Sequence, residues 1–173
     1  MRKILLVIDM QNDFIDGSLG STEAMSIVQN VINKIKEYSP ENVFATKDTH
    51  EVNYLSTSEG RHLPVEHCIR GSEGWDIRPE IRSLIPPENV YEKGTFGSLA
   101  LAEKVAEMAR KEDISVEMVG LCTDICVVSN ALLIKAYLPE IPISVDSSCC
   151  AGVTPDKHNV ALETMRSCQI NVE

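Results

Sequence analysis

Residues Ile4 to Ile8 form an unbroken apolar run that stops at Asp9. A strand with one face in water alternates apolar and polar residues, whereas a strand apolar at every position must be covered on both faces. Such strands belong to parallel sheets, whose crossover connections lay helices over each face. The rest of the chain shows the alternation this demands. Val28, Val31, Ile32 and Ile35 recur at helical spacing after a Ser21-Thr22 start signal. Asn42 to Thr46, Asn89 to Glu92, Val116 to Val119 and Ile141 to Val145 read as strands two to five, and Gln169 to Val172 as a sixth. Leu101, Val105 and Met108 mark a helix before the fourth strand. Val127 to Leu138 is apolar almost all round, which predicts a buried helix with Thr123 as its cap. Thr154-Pro155-Asp156 combines a capping hydroxyl, a first-turn proline and an acid near the positive end of a helix. The pattern predicts an α/β fold: a parallel sheet of about six strands with helices on both faces.

A chain of 173 residues suits one domain spanning 1–173. Lys plus Arg number 16 and Asp plus Glu 26, a net charge of −10. That balance argues against a nucleic-acid phosphate backbone or an anionic membrane face as partner. No run approaches membrane-spanning length. After Met1-Arg2-Lys3 the apolar stretch is too short for a signal peptide, so a cytoplasmic protein is expected. The six cysteines contain no Cys-x-x-Cys pair, and in that compartment most should be reduced, several of them buried.

In parallel sheets ligands bind outside the carboxyl ends of the strands. Asp9 follows the first strand, Asp48 and His50 the second, Lys93 the third, and Gly120-Leu121-Cys122-Thr123-Asp124-Ile125-Cys126 the fourth. Singly, each has an ordinary explanation: a loop cap, a solvated lysine, a loop histidine, a core thiol. Their shared position on one rim sets them apart. With Thr123 as cap, Cys126 falls in the first helical turn, where free N–H groups and the helix dipole favour a thiolate. The same N–H groups, with that of Cys122, could stabilise an oxyanion. Residues from about Asp48 to Pro87 lack periodicity, as expected of a functional excursion.

Asp9 within D-x-Q-x-D-F, Lys93 followed by Gly94-Thr95-Phe96, and Gly120 to Val127 in the pattern G-x-x-T-D-x-C-V resemble the isochorismatase-like cysteine hydrolases, and among them the nicotinamidases. The resemblance covers nearly the whole chain and implies a three-layer Rossmann-like fold. It implies Cys126 as nucleophile, Asp9 as the base that takes its proton and hands it to departing ammonia, and Lys93 as the charge holding both. It also implies an oxyanion hole from the Cys122 and Cys126 N–H groups and a cis peptide between Leu121 and Cys122. The implied reaction is nicotinamide to nicotinate and ammonia through a thioester, part of NAD salvage. A related hydrolase of another small amide or carbamoyl compound is the alternative.

The resemblance further implies a divalent metal beside the nucleophile. Asp48, His50 and His67 match its ligand pattern, the last just before Cys68-Ile69-Arg70-Gly71. The remaining position falls to Glu59, with His62 as rival. Two imidazoles and two carboxylates suit zinc, or manganese or iron. Nicotinamidases often stack the substrate ring on an aromatic residue shortly before the metal histidine; Leu63-Pro64 stands there instead, leaving Phe14 as the aromatic wall. The expected partner is a small-molecule amide, with room for a homo-oligomer.

Overall fold

The computed structural model describes residues 1–173, and β1 (Arg2–Ile8) runs through the middle of its sheet. Chain order then gives α1 (Asn12–Ile15), α2 (Thr22–Ile35), β2 (Val43–Asp48), α3 (Ser58–His62), α4 (Pro79–Arg82), β3 (Val90–Lys93) and α5 (Leu99–Ala109). β4 (Ile114–Leu121), a π-helical turn over Thr123–Val127, α6 (Val128–Tyr137), β5 (Ile143–Ala151), α7 (Pro155–Ser167) and β6 (Asn171–Val172) complete it. The six strands lie in the order β3-β2-β1-β4-β5-β6, all neighbours parallel. No helix is long and apolar enough to cross a membrane.

The apolar run of β1 is covered on both faces, as its sequence demands. Ile4, Leu6 and Ile8 join a core with α5, α6 and α7, while Leu5 and Val7 join one with α1, α2 and α4. All five are at most 1% exposed. Each side chain buried this fully contributes about 1.5–3 kcal/mol relative to leaving it in water. The helix starts read from the sequence carry their caps: Ser21 accepts from the Ala24 N–H and Thr154 from the Lys157 N–H.

Two stretches differ from the sequence reading. The fifth strand begins at Ile143 and continues to Ala151, well beyond Val145. Its polar residues Asp146 to Ser148 look like a strand end, but Cys149 and Cys150 beyond them enter opposite cores. The stretch between β2 and β3 is not wholly irregular, since it contains α3 and α4.

The strand order places the chain reversal between β1 and β4: β2 and β3 extend one way, then the chain crosses back to lay β4 beside β1. A crevice opens at the carboxyl ends of two strands whose connections leave in opposite directions. Asp9 leaves β1 there, and the Cys122–Cys126 turn leaves β4.

Candidate active site and metal centre

Asp9 is the first residue past β1 and its φ is +47°, a left-handed conformation that Asp tolerates better than most side chains. Thr46 on β2 fixes it twice: the Asp9 N–H donates to Thr46 Oγ1 (3.2 Å), and that hydroxyl donates to Asp9 Oδ1 (2.6 Å). Parallel register sets Asp48 beside Lys93 at the ends of β2 and β3. Lys93 Nζ then lies 2.7 Å from Asp9 Oδ2, 3.1 Å from Asp48 Oδ1 and 3.5 Å from Cys126 Sγ. The structure thus brings together Asp9, Lys93 and Cys126, and all three are buried.

Burial by itself pulls the Lys93 ammonium down, but the charges of Asp9, Cys126 and Asp48 outweigh it and hold it well above the ordinary lysine value. Burial pushes Asp9 up, only partly offset by Lys93. Burial, then Asp9, hold the Cys126 thiol well above its ordinary value. Burial therefore works against the pull that the helix start exerts toward a thiolate. It opposes negative charge on both the sulfur and the neighbouring Asp9 carboxylate.

The turn carrying Cys126 begins against β1. Gly120 has φ +123°, and a Cβ there would meet the Ile8 carbonyl oxygen at 2.1 Å, so only glycine fits. The Leu121–Cys122 peptide is cis, as the resemblance implied. Thr123 is not the cap: Cys122 takes that position without a side-chain bond, and the Thr123 hydroxyl instead lies 2.8 Å from His158 Nδ1 on α7. Asn130 on α6 donates to the Cys126 carbonyl (2.8 Å). The Cys122 N–H donates to no acceptor in the protein, which leaves a free donor in the turn that carries Cys126. Burial pushes the Cys122 thiol up to about 12 as well.

Across Asp48 lies the second cluster. One donor atom each from Asp48, His50, Glu59 and His67 all fall within 4.8 Å of one another. His50 Nε2 is 3.0 Å from Asp48 Oδ2 and 3.6 Å from Glu59 Oε1, and His67 Nε2 is 3.7 Å from Glu59 Oε1. His67 Nδ1 lies 2.8 Å from the Val65 carbonyl and is its N–H donor, which leaves Nε2 as a lone pair facing the cluster. Four converging oxygen and imidazole donors with that tautomer fit a divalent cation. His62 turns away, its Nδ1 bonded to the Ser58 carbonyl at 2.7 Å.

Several supports were not read from the sequence. The His50 N–H donates to the Cys68 carbonyl and the Arg70 N–H to the His50 carbonyl, drawing the His67 segment alongside β2. Gln11 clamps the Asp48 backbone, Nε2 to its carbonyl (2.8 Å) and Oε1 from its N–H (2.7 Å). Asp13 Oδ2 accepts from the Cys68 N–H (2.7 Å). Buried Tyr54 packs on both histidine rings and donates to the Leu63 carbonyl (2.9 Å). The D-x-Q-x-D-F segment carried the signal for Gln11 and Asp13; nothing in the local sequence marks Tyr54.

A cavity of about 1170 Å³ opens onto the second cluster and onto Cys122 and Ile125 of the adjoining turn. Phe14, Leu63, Phe96, Ile125 and Val153 give it apolar walls, and Asp48, His50, Glu59, His67 and Cys122 line its polar side. Cys126 itself does not line it and is 5% exposed.

The isochorismatase domain matches residues 3–173. A Bacillus subtilis (strain 168) protein described as an uncharacterized isochorismatase family protein, PncA, is 29% identical over 94% of this chain and 93% of its own. The crystal structure of the nicotinamidase/pyrazinamidase PncA from Bacillus subtilis superposes with TM-score 0.82 at 25% identity, covering 99% of each chain. The N-carbamoylsarcosine amidase of Thermoplasma acidophilum does so with TM-score 0.77 at 26% identity, over 100% of this chain and 96% of that one.

Proposed function

The chain belongs to the isochorismatase domain family, and from that premise we propose that residues 1–173 form one metal-dependent amidohydrolase domain that converts nicotinamide to nicotinate and ammonia. The observation that carries the reading is Lys93, whose ammonium touches a carboxylate, a thiol and a carboxylate of the metal-type cluster at once. In this reading Cys126 Sγ attacks the carboxamide carbon while its proton passes to Asp9. The oxyanion is met by the Cys122 and Cys126 N–H groups, and Lys93 balances the charge. Collapse breaks the C–N bond, Asp9 returns the proton to the departing ammonia, and a thioester remains. Water, deprotonated by Asp9, then attacks the thioester, and nicotinate leaves with the thiol restored.

Asp48, His50, Glu59 and His67 would hold zinc, manganese or iron, a donor set all three accept. When bound, the ion supplies a Lewis-acid contact for a ring nitrogen and so an orientation for the substrate. Phe14, with its ring 5.4 Å from that of His67, supplies an aromatic wall beside it.

A second reading, hydrolysis of another small amide or carbamoyl compound, draws support from the similarity to the carbamoylsarcosine amidase and from Leu63, which offers apolar contact but no ring face. Ammonia release from nicotinamide, benzamide and a carbamoyl amino acid by metal-loaded protein separates them. Nicotinamide is the expected substrate and benzamide a much poorer one. Turnover of the carbamoyl compound alone overturns the nicotinamide assignment and keeps the cysteine chemistry.

A further inference from the structure

We propose that His158 is a positioning residue for the nucleophile turn: through Thr123 it fixes the Cys122 N–H as an oxyanion donor. The inference rests on the cysteine-hydrolase reading above. The start of α7 grips two successive residues of the turn. His158 Nδ1 lies 2.8 Å from Thr123 Oγ1, and Asp124 Oδ1 accepts from the Val153 N–H at 2.9 Å. The approach is close: a Cβ on Gly152 would meet the His158 backbone N at 2.8 Å and Asp124 Oδ1 at 2.9 Å.

Thr123 is fully buried, and the imidazole is the partner of its hydroxyl. His158 is itself anchored, its N–H donating to the Thr154 carbonyl (2.9 Å) within the capped first turn of α7. Burial lowers its pKa, against the pull of Asp124, so the ring is neutral at neutral pH and can pair with a hydroxyl in either direction. At the other end of the turn Asn130 holds the Cys126 carbonyl. The turn is therefore pinned on both sides of the nucleophile, once from α6 and once from α7. The residue next to Thr123 carries the N–H that donates to nothing in the protein. Neither Thr123 nor His158 hydrogen-bonds Asp9, Lys93 or the metal-type donors. Their effect on chemistry is geometric: a donor serves an oxyanion only when aimed at the place where charge develops, and a shift of about 1 Å can cost on the order of 10²-fold.

The test compares His158→Leu, His158→Asn, Thr123→Val and the Thr123→Val/His158→Leu double variant. Three readouts are needed: nicotinamide turnover, the acylation burst with p-nitrophenyl acetate, and alkylation of Cys126 by iodoacetamide. The ester burst needs the oxyanion donor but no amide; the alkylation needs the thiol but no oxyanion donor. His158→Leu should lower kcat and the burst rate by about tenfold or more, short of the roughly 10²–10³ for deleting a donor outright, with KM held within about twofold. Alkylation should be unchanged. Asn, which offers a polar atom near the Nδ1 position, should restore most of the rate. The double variant should be no slower than Thr123→Val alone. An unchanged burst in His158→Leu, or equal losses in the Leu and Asn variants in step with loss of folded protein, overturns the proposal. So does the absence of any burst in the unmodified protein. If nicotinamide is inert while the burst persists and falls in the variants, the substrate assignment fails and the role of His158 stands.

Discussion

Two lysines sit among carboxylates near opposite ends of the sheet. Lys93, 2% exposed in its side chain, lies at the carboxyl ends of the strands between Asp9 and Asp48. Lys34, 17% exposed, reaches from α2 to Glu117 on β4 (3.1 Å) and Asp146 on β5 (2.9 Å), with Glu37 at 3.5 Å. Tyr38 adds a hydroxyl that donates to Glu117. In both places burial pulls the ammonium down and the facing carboxylates more than reverse it. Composition therefore does not separate them. What differs is what else each ammonium touches and what opens onto it. Lys93 faces a thiol, and its partner Asp48 lines a large, partly apolar cavity where two connections diverge. Lys34 faces only acids, and the space beside it is lined by Lys3, Ser39 and Asn42 among other polar groups. The first ion cluster brings a carboxylate and an ammonium to a sulfur, the arrangement the proposed proton transfer needs; the second ties α2 to the sheet.

The comparison breaks most sharply at the sulfur. Cys126→Ala should abolish amide turnover with the fold intact, which circular dichroism and an ammonia assay would check together. Lys93→Met and Asp9→Asn should each cost at least about 10²-fold in kcat, the low end for general acid–base assistance. Their double variant should lose little more, as coupled groups do. Lys34→Met should leave kcat within about twofold. It should lower stability by about 1–3 kcal/mol, because Glu117 and Asp146, both largely buried, lose their counter-charge. A comparable loss of turnover in Lys34→Met would erase the distinction.

Metal content sharpens it next. Protein purified without added metal should contain close to one equivalent of divalent ion by elemental analysis. His50→Ala and Glu59→Ala should lose it while His62→Ala keeps it. Chelation should lower Tm, since a ligand that binds only the folded state stabilises it by mass action. The smallest effect concerns His158. Its folded pKa lies below the ordinary 6.5 because burial disfavours the charged form. Below about pH 6.5 the unfolded chain takes up that proton first, so stability is fully present above this pH and falls as pH drops through the folded value. Denaturant titrations at pH 7.5 and 5.5 should therefore differ less in His158→Asn than in the unmodified protein.

The sequence made the site legible where local pattern and chemistry coincide. The run Ile4 to Ile8 places Asp9 at a strand end without further information, and Ser21 and Thr154 cap helices because their hydroxyls meet local N–H groups. Asp48, His50 and His67, which the family resemblance implied as ligands, bring donor atoms within 4.8 Å of one another together with Glu59, its candidate for the remaining position. Reading failed where a distant partner took over a local group. Thr123 has the chemistry of a cap, but His158, 35 residues on, claims its hydroxyl. Asp146 to Ser148 read as a strand end, yet Lys34 gives Asp146 a partner and β5 continues. The thiol of Cys126 has the position of an activated cysteine in one dimension. Its burial and the proximity of Asp9, both products of the third dimension, push its pKa upward against that pull.

Asp48 has one oxygen 3.1 Å from Lys93 and the other 3.0 Å from His50. A carboxylate divided in this way has one negative charge to share, so whatever draws on one oxygen weakens the offer of the other. Proton occupancy around Lys93 and the occupancy of any cation held among the histidines would then be linked equilibria. By thermodynamic reciprocity, each must alter the affinity of the other by the same factor.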